Sequence, residues 1–254
     1  MVKRDTPLPI KLKNDAIAEA LLEIRFETKT ISELFLGRVM DRPEWKNFVP
    51  RQLPGYAIPP QIRLFDPNMR YVPVMELAGH DAKFLVRIGP QVISCHNRAP
   101  YFGWSKFKLE LDKVVETLFG TTQDLNVTRL GLRYMNALRP SVHKIRSIAD
   151  LDINLAVSGD AILDSVNLNF KGKLTSDSSC TVRIATKDLV VGNLTGVIPE
   201  DMTVYVDVDV FTNETFVTRD LKAVKDWIEF AHTEEKHEFF RLFKQQSIDE
   251  MREV

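Results

Sequence analysis

The sequence has little of several features that mark specialised classes of protein. Only two cysteines occur among its 254 residues, so no disulfide framework is indicated. We expect Cys95 and Cys180, both within strand-like runs, to be reduced and buried thiols of an intracellular protein. Neither sign of charge dominates, with 34 Lys and Arg against 35 Asp and Glu. A net charge of −1 argues against bulk attraction to nucleic acid or to an anionic membrane, but a local basic patch stays open.

Long apolar runs are also missing. The N-terminal stretch MVKRDTPLPIKLKND is basic and carries no apolar core of the kind that a secretory signal needs. No stretch approaches the length that spans a bilayer. With 44% hydrophobic and 27% charged residues, the composition is that of a soluble globular protein. We therefore expect a cytoplasmic protein, with no membrane partner, that has enough chain to bury a substantial core.

Alternating and helical patterns predict both strands and helices. Residues 104–119 place their apolar side chains on one helical stripe, and Gly120 marks the predicted end of that helix. The longest predicted helix covers 219–246. Its apolar stripe lapses across HTEEKHE (232–238), so this turn is predicted to stand off the body of the protein. A short helix is predicted within 30–45, and strands are predicted at 16–27, 62–66, 70–77, 82–97, 126–138, 164–174, 180–191 and 202–212.

The order of these elements favours an α+β fold. It predicts a largely antiparallel sheet or sheets, a mid-chain helix and a long C-terminal helix. Two blocks of strands are each followed by a helix, which favours two similar βα halves, 1–140 and 141–254. Element order alone supports this duplication, because no sequence self-similarity accompanies it.

The strand TRLGLRYMNAL (128–138) lies in a basic segment, 127–146, that has no acidic residue. Arg129, Gly131 and Arg133 share one face of the predicted strand. A glycine between two guanidinium groups gives a phosphate or carboxylate room to approach the backbone. The favoured alternative is that both arginines pair across the sheet with carboxylates such as those of Glu19 and Glu23. The candidate anion-binding residues are Arg129, Gly131, Arg133, Tyr134 and Asn136.

Two carboxylates occur in the strand YVDVDVF. Asp207 and Asp209 share a face, and their oxygens are ligands that Mg²⁺ accepts. No further companion of a nuclease-type site is visible, so a solvated face or a pairing with arginines is favoured over a metal site. One hypothesis joins the two strands: Arg129 and Arg133 face Asp207 and Asp209 across a shared sheet.

Other reactive residues lack the context that catalysis needs. Cys95 and His96 are adjacent on a strand and point to opposite faces, so they do not form a dyad. Ser94 has no nucleophile-elbow context, and His232 and His237 are too far apart around a helix to ligate one metal together. The aromatics of NRAPYFGW (97–104) are expected to dock beneath the following helix rather than to stack bases. No catalytic residue, metal site or cofactor is predicted.

Three stretches resemble a known family: PIKLKNDAIAEALLEIRFE near the start, RLGLRYMNAL in the middle, and VYVDVDVF before the C-terminal helix. The family is a sporadically distributed group of prokaryotic proteins of about this length with no assigned activity. The resemblance covers nearly the whole chain and supplies no catalytic residues. It implies a prokaryotic origin and a place in mobile or defence-related loci.

These features favour a non-enzymatic binding protein that engages a protein partner or forms homodimers, within a defence or toxin–antitoxin-like locus. A nucleic-acid-binding protein that uses segment 127–146 is the first alternative. A metal-dependent phosphodiesterase or nuclease that uses Asp207 and Asp209 is the second.

Overall fold

A computed structural model describes residues 8, 12–67, 69–79, 81–122, 124–162, 164–190 and 198–252. Its strands are β1 (Ile17–Glu27), β2 (Val49–Gln52), β3 (Met75–Ala78), β4 (Phe84–Gly89), β5 (Val92–Arg98), β6 (Asn126–Leu138), β7 (Ala156–Val157), β8 (Asp160–Ala161), β9 (Asn167–Lys173), β10 (Ser178–Thr186) and β11 (Val204–Thr212). Its α-helices are α1 (Ser32–Met40), α2 (Pro60–Phe65), α3 (Trp104–Thr121), α4 (Pro140–His143), α5 (Leu221–Phe240) and α6 (Gln245–Met251).

Within the described ranges, nine strands form one antiparallel sheet in the order β2-β3-β4-β5-β1-β6-β11-β10-β9. The predicted fold class is confirmed, with α3 in mid-chain and α5 near the C-terminus. The strand order is symmetric about the central β1–β6 pair except for β2, which adds a fourth strand on the β1 side. On each side a three-stranded meander ends beside the long central strand and is followed by a helix.

The symmetric units do not coincide with the predicted halves. One unit begins at β1 and ends at α3, and the second begins at β6 and ends at α5. The predicted boundary between 140 and 141 therefore separates β6 from the meander that it pairs with. β6 and β11 are hydrogen-bonded from Leu138↔Val204 to Gly131↔Phe211, so the two sequence halves share one sheet.

One face of the sheet carries the main hydrophobic core. Apolar side chains at alternate positions of the central strands, such as Leu22, Leu132 and Val208, point to this face and are fully buried. Helices α3 and α5 lie across it and also contact each other. Their apolar stripes cover the core, as the helical periodicity of both segments predicts.

Several predicted elements are wrong in type or extent; the strand predicted at 70–77, for example, begins only at Met75. Residues 62–65 of the strand predicted at 62–66 belong to α2, where Pro60 occupies the first turn and its fixed φ suits a helix start. Gly120 does not end α3, which continues to Thr121. The helix predicted over 219–246 is two helices, because α5 ends at Phe240 and α6 begins at Gln245.

The prediction made from the lapse of the apolar stripe at 232–238 is also wrong. This turn does not stand off the protein, because Glu235 and Glu238 within it are buried, with exposures of 6% and 8%. Both residues continue the inward-facing stripe of α5, so polar side chains point at the core there. No helix among the described residues combines the length and the apolar character needed to cross a membrane.

Because the two sequence halves share one sheet and one core, we expect neither the fragment 1–140 nor the fragment 141–254 to fold alone. The first would expose the β11 side of β6, and the second would lose the strand that pairs with β11. Circular dichroism during urea unfolding is expected to show one cooperative transition for the whole chain and none for either fragment. A cooperative transition of an isolated fragment would contradict a shared core.

Candidate functional site

The face of the sheet opposite α3 and α5 carries a band of charged and polar side chains, which we call the polar face. The pairing register of neighbouring strands places these side chains next to one another across the sheet. Its members on the six strands from β3 to β11 are Glu76, Arg87, Ser94, His96, Glu19, Glu23, Arg129, Arg133, Asp207 and Asp209.

Arg133 and Asp207 form the strongest ion pair of the polar face. Arg133 donates from Nε to Oδ1 of Asp207 at 2.8 Å and from Nη2 to Oδ2 at 2.5 Å. Tyr205 donates a further hydrogen bond to Oδ2 at 3.2 Å. This bidentate pairing raises the pKa of Arg133. The hypothesis that the arginines of β6 face the carboxylates of β11 is confirmed here.

Arg129 occupies the space that Gly131 leaves open. A Cβ at Gly131 would lie 2.9 Å from Nη1 of Arg129, so the guanidinium lies directly over the glycine. From there Nη1 donates to Oε1 of Glu23 at 2.9 Å, and Nη2 lies 3.7 Å from Oδ2 of Asp209. The gap predicted to admit an anion is therefore filled by the protein's own cation. Glu19, the other predicted carboxylate partner, instead contacts His96.

The same contacts bear on Asp207 and Asp209 as candidate metal ligands. The guanidinium groups of Arg133 and Arg129 lie where a divalent cation would approach Asp207 and Asp209. Within the described ranges, no group of three or more His, Cys, Asp or Glu side chains is arranged to hold a metal ion. His80 lies outside those ranges.

A hydrogen-bonded chain of Ser94, His96 and Glu19 also lies on the polar face. Ser94 Oγ is 2.9 Å from His96 Nε2, and His96 Nδ1 is 2.7 Å from Glu19 Oε1. These distances match a serine-type triad, but Ser94 is buried, and its strand is paired with β1 and β4 on both sides. The paired backbone leaves no amides there for an oxyanion, so we interpret the chain as structural. Cys95 points into the opposite core, as predicted.

The five candidate anion-binding residues do not form one site. Arg129, Gly131 and Arg133 lie on the polar face, whereas Tyr134 and Asn136 point to the face that the helices cover. A one-residue step along a strand reverses the direction of the side chain, so odd and even positions of β6 separate. Tyr134 and Asn136 instead line a cavity beside α5.

This cavity, which we call the α5 cavity, has a volume of about 410 Å³. It lies between the C-terminal half of α5, strand β6, the start of β1 and the loop before α3. Asn97 positions that loop by accepting a hydrogen bond from the Phe102 amide at 2.9 Å, and Gly103 ends it with a φ of 84° that favours glycine. The aromatic side chains of its wall are Tyr101, Phe102, Trp104, Tyr134, Phe239 and Phe240.

Three polar ring groups in the wall contact one another. The hydroxyl oxygens of Tyr101 and Tyr134 are 3.1 Å apart, and that of Tyr134 is 3.5 Å from Nδ1 of His232. Trp104 stacks on the imidazole of His232 with a centroid distance of 3.7 Å. Burial lowers the pKa of His232 to about 4 and raises the pKa of both tyrosines. All three groups are therefore uncharged near pH 7.

Glu235 is the unusual residue of the α5 cavity. Its side chain lines the cavity and is 6% exposed, yet it makes no hydrogen bond or ion pair with any described residue. Burial raises the pKa of Glu235 to about 8, and only the positive charge of Lys236 opposes that shift. The carboxyl group is therefore mostly protonated near pH 7. A carboxyl group that lines a cavity and has no protein partner is available to a ligand there, because a hydrogen bond from the ligand would compensate its partial desolvation.

Sequence reasoning missed this residue although a signal was present. Ile228, His232, Glu235 and Phe239 follow one another at helical spacings of three or four residues. The polar side chains at the lapse thus occupy positions of the buried stripe rather than of the solvated face. Of the aromatics at 97–104, Tyr101 packs against Phe107 of α3 as predicted, whereas Trp104 begins α3 and stacks on His232 of α5. Tyr101, Phe102 and Trp104 also form a wall of the cavity.

Comparisons with known proteins add little to this geometry. No protein-family model and no curated protein matches the chain. Among solved structures, it is similar to the substrate-free duplicated taurocyamine kinase from Schistosoma mansoni, with 10% sequence identity and a TM-score of 0.43. The similarity covers 87% of this chain and 32% of that one, so the chain spans about a third of that structure's length. A TM-score this low does not establish a shared fold or function. Membership of the prokaryotic family stays a prediction.

We expect Arg133→Met to lower the free energy of unfolding by about 2–3 kcal/mol, because it leaves the buried carboxylate of Asp207 without its cation. Arg129→Met is the matched control. Its main partner, Glu23, keeps a hydrogen bond from Arg25 at 2.7 Å, so a loss below about 1 kcal/mol is expected. Urea unfolding of both variants measures the difference, and equal losses would contradict the special position of the Arg133 pair.

The pKa of Glu235 predicts a stability difference that depends on pH. The folded state keeps the proton up to about pH 8, whereas the unfolded chain releases it near 4.5. The wild type should therefore lose stability relative to Glu235→Gln as the pH rises from about 5 to 8, by about 2–4 kcal/mol. The other titratable residues around the site are the same in both proteins: Asp15, Tyr101, Tyr134, His232 and Lys236. If the free energies of unfolding of the wild type and Glu235→Gln change in parallel across this pH range, the pKa of Glu235 is not raised by folding.

Proposed function

We propose that this chain is a non-enzymatic binding protein whose ligand is a small organic molecule held in the α5 cavity. The observation that carries the proposal is Glu235, a buried carboxyl group that faces this cavity without a partner. A ligand that hydrogen-bonds to it would compensate its desolvation. Cavities of this size that combine aromatic walls with convergent polar groups are typical ligand sites.

The ionisation of the lining supports binding rather than catalysis. Near pH 7 the phenols, the imidazole of His232 and most of the Glu235 carboxyl are uncharged, so they suit hydrogen bonding better than nucleophilic attack. The described residues that line the cavity include no serine, threonine or cysteine. Burial raises the pKa of the nearby Cys95, which disfavours its reactive thiolate.

The contacts on the polar face weaken both alternatives. Arg129 and Arg133 already face carboxylates, so a phosphate would have to displace those partners. Asp207 and Asp209 face guanidinium groups in the positions where a catalytic metal would bind. A protein partner or second copy of the chain, in a prokaryotic defence-related setting, stays part of the proposal without a specific surface.

Nuclear magnetic resonance titrations test the cavity with small ring compounds such as indole, phenol and aniline. The chain has three tryptophans, so the indole N–H signal of Trp104 can be assigned and followed. We expect at least one compound to shift this signal with saturation in the millimolar range or below.

Ala16→Phe serves as the blocking variant, because Ala16 is buried and lines the cavity. Its larger side chain should abolish the shift of the Trp104 signal while the amide signals of the polar face stay unchanged. If no compound perturbs Trp104 in the wild type, or if the blocked variant binds equally well, the proposed function is wrong.

A further inference from the structure

The geometry points to a ligand class for the α5 cavity: an uncharged planar ring that carries a hydrogen-bond donor beside an acceptor. Amino-substituted nitrogen heterocycles and lactams share this edge. The inference rests on the proposed function and adds to it the chemistry that Glu235 recognises. Three observations carry it: the hydrogen-bonding pattern of two side chains, the charges around the cavity and the composition of its wall.

The first observation is the pairing pattern that Glu235 offers. A buried carboxyl group that holds its proton presents one donor and one acceptor oxygen side by side. A ligand satisfies both atoms at once when its own acceptor and donor are adjacent, as in the N–C–NH₂ edge of an aminopyrimidine or the O=C–NH edge of a lactam. Two parallel hydrogen bonds then replace the missing partners of a group that is 6% exposed.

Asn136 adds a second acceptor. Its Nδ2 donates to the backbone carbonyls of Tyr134 and Val206 at 3.4 and 3.3 Å, which leaves Oδ1 without a hydrogen bond among the described residues. Asn136 is buried and lines the same cavity as Glu235. A ligand with an amino or imino N–H group can donate to this oxygen, whereas a ligand with acceptors alone cannot.

The second observation is the charge around Glu235. Asp15 and Lys236 bring one acidic and one basic side chain to the lining, and His232 is uncharged near pH 7. Asp15 attracts a cationic ligand and Lys236 repels it, and the reverse holds for an anionic ligand, so neither sign of charge gains a net attraction. The nearly balanced charge therefore favours an uncharged ligand.

The third observation is the wall. Of the fifteen described residues that line the cavity, seven carry a planar ring, counting the imidazole of His232. Rings of this kind bind a flat ligand through stacking and edge contacts, and they bury its apolar surface. The volume of about 410 Å³ lies within the range of small-molecule sites, so a ligand of one or two rings can enter it whole.

The experiment compares isosteric ring compounds at pH 6.5, where Glu235 holds its proton. The probes are 2-aminopyrimidine and 2-pyridone, which carry the paired edge, pyrimidine and aniline, which each carry half of it, and benzylammonium as the cation. We expect the first two to bind at least about tenfold more tightly than the half-edge compounds, judged by the Trp104 signal. Comparison of the first two distinguishes an amino heterocycle from a lactam.

Substitutions of Glu235 assign this preference to its carboxyl group. Glu235→Leu should abolish the tenfold preference while aniline still binds. Glu235→Gln keeps a donor beside an acceptor, so it should retain the preference within about threefold. Glu229→Leu is the matched control, because Glu229 lies on α5 outside the cavity with its side chain exposed, and it should change nothing.

Each outcome decides between the two proposals. Tightest binding of benzylammonium, or equal binding of the four uncharged rings, would overturn the ligand class but leave the cavity as a binding site. A preference that survives in Glu235→Leu would also overturn it. Failure of every probe to bind would overturn the ligand class together with the proposed function. If Glu235→Leu does not fold, the retention or loss of the preference in Glu235→Gln still decides.

Discussion

The antiparallel pairing of β1 with β6 is the constraint on which the rest of the structure depends. Register from Glu19↔Met135 to Arg25↔Arg129 places Leu22 opposite Leu132 on one face and Glu23 opposite Gly131 on the other. Because strand side chains alternate, this single register decides which side chains meet the helices and which meet the charged band. Each meander then joins one central strand, so the sheet extends in both directions from this pair, by four strands beyond β1 and three beyond β6.

The two faces use polar residues in opposite ways. On the polar face, arginines and carboxylates of neighbouring strands satisfy one another, as the bidentate pair of Arg133 and Asp207 shows. On the helix face, most of the surface is apolar and Glu235 has no such partner. Satisfied charges contribute to the fold, whereas an unsatisfied buried group costs stability unless something else compensates it. For this reason the helix face, rather than the more highly charged one, is the better place to look for a ligand.

Sequence patterns predicted the parts of this architecture that depend on local periodicity. The alternation of β1, β6 and β11 and the apolar stripe of α3 were sufficient to identify these elements and the antiparallel class. The pairing of Arg133 with Asp207 was also predictable, because both strands alternate and both faces had to be filled. The contacts of Gly131 were not, because the direction of the long Arg129 side chain depends on Glu23 from another strand. Helix α2 was not predicted, because prolines such as Pro59 and Pro60 are common both in connections and at the starts of helices.

The position of Glu235 shows how a ligand site can be missed when a helical pattern is analysed only for buried apolar residues. A polar residue at a position of the apolar stripe looks like a break in that stripe. Helical geometry nevertheless keeps its side chain pointing inward, whatever its polarity. Its environment comes from three distant parts of the chain, the start of β1, the loop before α3 and strand β6, which no local window contains. A leucine at this position would suit the core better, because Phe239 and Phe240 already flank it with apolar surface. A bound donor–acceptor edge would supply the hydrogen bonds that the carboxyl group does not make to the described residues of the protein.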